Sequence, residues 1–188
     1  MNSALAQAPA SIPSFTLKKF EGDETVSLDQ FSDGVVVLDF FAYWCVPCRK
    51  VSTELEEHVQ RFYAEKNGNP AGKPVQVLSL NIEQGRTART RQYIRQTGAS
   101  LVLDDVGGRV YKALGGRGIP YVIVLAKESN QWNVLYAHAG YEGVEKIRTV
   151  IDSVGAATGR SPADAPAVSL PTTHAVEIGS DGLWSNDI

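Results

Sequence analysis

The run Val35–Phe41, VVVLDFF, constrains this chain more than any other stretch. Its residues are mostly β-branched or aromatic and carry no helical period. Such a run predicts a central strand buried on both faces, as parallel sheets require. A few residues later the pattern changes. Val51, Leu55, Val59 and Phe62 recur at helical spacing, while Glu54, Glu56, Glu57 and Arg61 fill the other side. That periodicity predicts an amphipathic helix from Pro47 to Ala64. A doubly buried strand running into an amphipathic helix calls for a layered α/β architecture.

The rest of the chain fits that frame. Ser14–Leu28 alternates around Gly22-Asp23, as a hairpin does. Residues 65–74, EKNGNPAGKP, form a loop by composition, and VQVLSL (75–80) is a second buried strand. A polar helix is expected over Thr87–Thr97, closed by Gly98. A short strand at 100–104 and a helical piece at Val106–Leu114 lead to GGRGIP. YVIVLA (121–126) reads as a core strand, and WNVLYAHAG (132–140) as a solvent-facing edge strand. Val144, Ile147, Val150, Ile151 and Val154 mark one side of a closing helix. The expected fold is a three-layer α/β sandwich, a central mixed sheet flanked by helices, with an N-terminal β-hairpin extension.

Three spans follow: a leader (1–11), one domain (12–155) and a Pro/Ala/Ser/Gly-rich tail or linker (156–188). Within the leader, ALAQA resembles the end of a signal peptide cleaved after Ala8. A charged start and an apolar stretch are missing, so a short flexible leader stays open as an equal reading. In the tail, Trp184 is an aromatic that could anchor onto the domain. Net charge is −3, too small to imply a nucleic-acid or membrane partner. The apolar run from Val35 to Trp44 is broken by Asp39 and too short to span a bilayer.

Both cysteines of the chain, Cys45 and Cys48, sit in WCVPCR. A structural zinc site needs four ligands, usually in pairs. Here a second cysteine pair is missing and His58, His138 and His174 are scattered. A structural disulfide closing so small a loop constrains little of the unfolded chain. Dithiol–disulfide exchange fits better. At the expected helix start, free N–H groups and the dipole favour a thiolate at Cys45, lowering its pKa from roughly 8.5. Pro47 is tolerated in the first turn because its missing N–H would be unpaired there anyway. Arg49 and Lys50 add positive potential, although either could simply be solvated.

At these residues the chain resembles a known family. VVVLDFFAYWCVPCRK is similar to the active-site segment of thioredoxin-fold thiol–disulfide oxidoreductases, and WCVPCR to their TlpA/ResA-like branch. PSFTLKKFEGDETVSLDQF resembles that branch's N-terminal hairpin, GIPYVIVL its cis-proline segment, and AHAGYEGVEKI its glycine turn into the last helix. Together these cover residues 12 to 155. The resemblance implies that Cys45 is the attacking nucleophile and Cys48 the resolving thiol. It also implies that Pro120 is a cis-proline facing the disulfide. Trp44, Ile119, Pro120 and Gly140 would then line a shallow groove, with Ile119 backbone pairing to a substrate strand.

Asp39 matches the buried aspartate of thioredoxin itself, where many TlpA-like relatives carry an uncharged residue. A lone carboxylate in an apolar strand should have a raised pKa, which suits a group accepting the proton of Cys48. This departure leaves open a broad or a dedicated reductant. Two other departures stand out. Thr53 occupies the position of a helix-kinking proline, and Glu83 lies one residue out of register with an acidic residue of ResA-like proteins. A solvated loop Glu83 is the favoured reading.

The resemblance implies an extracytoplasmic reductase exchanging disulfides with partner proteins, apocytochromes or envelope proteins among them. An upstream protein would supply electrons. No cofactor and no metal are expected, and the chain should be a monomer. A disulfide oxidant or isomerase shares every residue named, and a thiol peroxidase or a metal-binding module are further alternatives. Arg86, Arg89, Arg91 and Arg95 form a solvated face or a docking patch for an acidic partner. His58 is expected at the surface, and Tyr43 beside the cysteines could tune access to them.

Overall fold

The computed structural model describes residues 8–156. Residues 1–7 of the leader (1–11), and with them most of its signal-peptide reading, and the tail from residue 157, with Trp184, lie outside the described residues. In chain order the strands are β1 (Ser11–Ile12), β2 (Thr16–Lys19), β3 (Thr25–Ser27), β4 (Val35–Phe41), β5 (Val75–Asn81), β6 (Val102–Asp104), β7 (Tyr121–Glu128) and β8 (Gln131–Ala139). The helices are α1 (Val46–Leu55), α2 (Phe62–Glu65), α3 (Thr87–Thr97), α4 (Arg109–Ala113) and α5 (Val144–Ser153). Among the described residues the strands form one mixed sheet in the order β1-β8-β7-β4-β5-β6-β2-β3. β4, β5 and β6 are parallel, and β7 runs antiparallel to β4. The N-terminal hairpin β2–β3 joins through β2 to β6.

β4 occupies the centre, and its alternation builds both cores. Val36, Leu38 and Phe40 pack with Leu78, Leu80, Leu103, Val110 and Trp132 on one face. Val35 and Val37 pack with Val51, Leu55, Val59, Ile147 and Ile151 on the other. All seven β4 residues are buried. Each large apolar side chain withdrawn this way stabilises the fold by roughly 1.5–3 kcal/mol.

The segment read as one helix, Pro47–Ala64, is helical throughout but not uniform. Between α1 and α2, Glu56–Arg61 widens into a π-helical turn. The chain around Thr53 is regular α-helix, so the irregularity falls further along than a proline would put it. At the start of the widened turn, the buried Glu56 carboxylate accepts the Ser100 N–H at 3.1 Å and pairs with Arg61 at 3.7 Å. Gly98 caps α3 with φ 74°, its N–H on Ile94 O. That left-handed geometry is what a glycine supplies cheaply.

β8 differs from the solvent-facing edge expected of it. β1 pairs outside it, Ser11 opposite Asn133 and Ile12 opposite Trp132, and Trp132 is buried with its indole N–H on Asp29 at 2.9 Å. Alternation along β8 alone does not reveal this, because the covering strand is two residues long and far away in sequence.

The register then fixes where chemistry can gather. Tyr121 at the start of β7 lies opposite Phe40 near the end of β4, and Ala139 at the end of β8 lies opposite Tyr121. Phe41 pairs with Asn81 at the end of β5. The segments 42–48, 82–84, 119–120 and 140 therefore converge at one end of the sheet.

Candidate active site

Cys45 closes the turn that follows β4 and caps α1. Its N–H donates to Ala42 O at 3.0 Å. Its backbone is extended, with φ −76° and ψ 102°, and its Sγ accepts the Cys48 N–H at 3.2 Å. The sulfur thus takes the place a serine or aspartate oxygen usually holds at a helix start, where negative charge is favoured. Pro47 sits in the first turn. Cys45 and Cys48 are joined in a disulfide. Cys45 keeps 4% of its surface and Cys48 none, while Trp44 and Val46 on either side of Cys45 are 54% and 68% exposed. The disulfide is thus nearly covered, and two exposed apolar side chains flank Cys45.

The positive residues of the first turn have ordinary duties. Arg49 donates to Tyr43 O at 3.3 Å, bracing the loop, and the exposed Lys50 pairs with Glu54 at 3.7 Å. Tyr43 itself is half-buried against the cluster of Phe41, Cys45, Cys48 and Tyr93.

The Ile119–Pro120 bond is cis. Pro120 O accepts the Gly140 N–H at 2.8 Å, and Gly140 takes φ 95°, so the 119–120 and 140 segments are tied together. Ile119 packs on the same cluster as the two cysteines. Trp44, Cys45, Cys48, Ile119, Pro120 and Gly140 thus share the convergent end of the sheet.

Asp39 lies fully buried on β4, on the face covered by α1. Burial pushes its carboxyl up to about 7, with the nearby Ser52 and Ser79 side chains acting in the opposite direction. One oxygen, Oδ2, accepts from the Ser52 hydroxyl, and Oδ1 has no partner among the described residues. Ser52 Oγ also lies 2.7 Å from the Tyr93 hydroxyl. Tyr93 stacks on Phe41 with ring centres 4.4 Å apart and planes 8° apart.

Ser52 and Tyr93 escape sequence reasoning in different degrees. Ser52 stands four residues after Cys48 between buried Val51 and Leu55, so a polar residue on an apolar helix face was a usable signal. Tyr93 lies on α3, forty-one positions away, and nothing local marks it. Glu83 corrects an expectation. It is not a free loop carboxylate but accepts the Trp44 indole N–H at 3.1 Å. His58 is exposed, as expected of it. Of the four arginines near α3, Arg91 is held by Glu21, while Arg86, Arg89 and Arg95 are exposed. Among the described residues no group of three or more His, Cys, Asp or Glu side chains is placed to hold a metal ion, and no helix is long and apolar enough to cross a membrane.

Known proteins resemble this chain in sequence and fold. The family model described as Redoxin matches residues 7–151. A Chlorobium tepidum protein assigned as the thiol:disulfide interchange protein DsbE is 26% identical, with a TM-score of 0.61 over 79% of this chain and 96% of that one. StoA from Bacillus subtilis has the same thioredoxin-like fold, with a TM-score of 0.54 over 76% of this chain and 98% of that one at 23% identity. Thioredoxin of Bacillus subtilis (strain 168) is 27% identical over 74 residues, 39% of this chain; the match spans 62% of that relative's length.

Proposed function

The chain belongs to the Redoxin family, and from that premise we propose that it is a thiol–disulfide oxidoreductase acting on cysteines of other proteins, as a reductase in the cell envelope. The exchanging unit is residues 12–155. The observation that carries the reading is the placement of Cys45 Sγ at the start of α1, accepting the Cys48 N–H and bonded to Cys48.

In the reductive direction an upstream protein dithiol reduces the Cys45–Cys48 bond. The Cys45 thiolate then attacks a partner disulfide, forming a mixed disulfide and releasing one partner thiolate. Cys48 gives its proton to Asp39 and attacks Cys45 Sγ. The Cys45–Cys48 disulfide forms, the intermolecular bond breaks, and the second partner sulfur leaves with the electron pair and is protonated. Two electrons pass to the partner. The exposed Trp44, with Ile119, Pro120 and Gly140, forms the groove in which a partner strand lies.

The reductase direction is supported by the buried Asp39, which aids proton removal from Cys48 when the disulfide closes. The likeness to proteins named DsbE and StoA supports the envelope location, and apocytochrome disulfides are one fitting substrate class. A redox titration of the Cys45–Cys48 couple against glutathione tests the direction. A reductase gives a potential of roughly −200 to −300 mV; a value near −120 mV, that of a strong oxidant, overturns it.

A further inference from the structure

We propose that Ser52 and Tyr93 are positioning residues for Asp39: a hydrogen-bond chain Tyr93 → Ser52 → Asp39 Oδ2 that leaves Oδ1 as the single oxygen exchanging a proton with Cys48. The proposal deepens the exchange chemistry above and rests on it. Its direction follows from counting protons. Ser52 has one hydroxyl proton, and it is committed to Asp39 Oδ2. At 2.7 Å from Tyr93 the serine oxygen must therefore accept, and the tyrosine donates. Tyr93 is almost fully buried, and its ring is clamped against Phe41. Thr97 Oγ1 donates to Tyr93 O at 3.1 Å, fixing the backbone that carries the ring.

The chain has a chemical consequence. An isolated carboxylate in this site would be strongly disfavoured by desolvation. Donation from Ser52, itself polarised by Tyr93, favours the charged form and keeps it accessible near neutrality. Because Oδ2 is occupied in both protonation states, the hydroxyls need not reorient when the proton arrives. The proton from Cys48 goes to Oδ1, the oxygen without a partner among the described residues, and returns from it when the couple is reduced. α3 thereby supplies a group that governs chemistry at α1, through Ser52 and without contact to substrate.

The other charged and titratable groups around Asp39 have partners of their own, although Arg49 also acts on Tyr93, and Asp39 on Tyr141, through their charge. On α1, Arg49 reaches Tyr43 O. Farther along the same helix Glu54 accepts from the Tyr141 hydroxyl, and Glu56 is turned to Ser100 and Arg61. The sheet neighbours of Asp39 are Ser79, whose side chain also favours the charged form, and Val122, which is apolar. His138, one strand beyond Val122, faces Glu142 at 3.5 Å.

The test is the 13C resonance of the Asp39 carboxyl in the full-length oxidised protein, followed against pH. Removing the hydroxyl in Ser52→Ala should move the midpoint upward by roughly one unit, and Tyr93→Phe, which keeps the ring on Phe41, by roughly half a unit. Ser52→Thr, which restores the hydroxyl, should titrate like the parent. In stopped flow, resolution of a mixed disulfide should show the same displacement of its pH profile, with a loss of roughly 3- to 10-fold at pH 7 in Ser52→Ala. If Ser52→Ala does not fold, Tyr93→Phe decides alone. An unmoved Asp39 midpoint in the folded hydroxyl-deletion variants overturns the relay even where exchange is fast. A moved midpoint in a protein that exchanges no disulfides supports the relay and contradicts the proposed activity.

Discussion

The Trp44 indole N–H donates to Glu83 at 3.1 Å, so the exposed ring preceding the candidate nucleophile is held by a loop thirty-nine positions down the chain. Trp44 is 54% exposed and would otherwise sample several rotamers. Holding it would preorganise the groove proposed to receive a partner. Glu83→Ala should slow mixed-disulfide formation with a cysteine peptide by roughly 2- to 10-fold, the span of one hydrogen bond of about 0.5–1.5 kcal/mol. Stopped-flow rates of the reduced protein check this, and an unchanged rate removes Glu83 from the groove.

Asp39 makes stability depend on pH in a definite direction. Its carboxyl is raised from 3.8 to about 7 by burial, so over that window the native state holds a proton that the unfolded chain has lost. Its favourable contribution is complete below the unfolded value and is lost as pH rises through about 7. A shift of about three units corresponds to something on the order of 4 kcal/mol. Asp39→Asn should therefore be more stable than the parent at pH 8.5, by roughly 1–3 kcal/mol after the cost of an unpaired amide. The advantage should vanish at pH 4. Urea unfolding of the oxidised proteins at the two pH values measures it, and equal stabilities at pH 8.5 would contradict the assignment.

Asn69 lies far from the cysteines and carries a separate load. Its amide nitrogen donates to Ile151 O and Val154 O, both at 2.8 Å, closing the end of α5. Its oxygen accepts from Ala71 N and Lys73 N at 3.1 and 2.9 Å. Asn69→Ala leaves these buried groups unpaired and should cost about 2–4 kcal/mol. The redox potential should stay at the parent value, because the contacts lie beside the start of β5 and the end of α5, at the end of the sheet away from the cysteines. Denaturant melts and a redox titration of the same variant separate the two effects.

How far the sequence carries can be read from these residues. β4 and α1 were legible because their signal is local: seven apolar-rich positions without period, then a period of 3.6. The cysteines were legible for the same reason, lying at the junction of two such patterns. The fold class and the hairpin extension follow from that reading, and the solved structures bear them out. What was not legible is made of contacts between distant residues. Asn69 sits in a loop that composition marks only as polar, and the two carbonyls its amide donates to lie more than eighty positions away. Glu83 looked like a solvated carboxylate because its partner Trp44 belongs to another element. The π-helical turn at Glu56–Arg61 is invisible to hydrophobic periodicity, since the buried Glu56 reads as a charge on the outer face.

Trapping of the mixed disulfide tests the central claim most directly. Reduced Cys48→Ser and Cys45→Ser variants are each mixed with a disulfide-bonded peptide, quenched with acid and resolved by mass. Cys48→Ser should accumulate a covalent adduct at Cys45, because the thiol that would release it is gone, and Cys45→Ser should accumulate almost none. Adducts on Cys45→Ser alone would reverse the two roles, and adducts on neither would leave the site without its proposed chemistry.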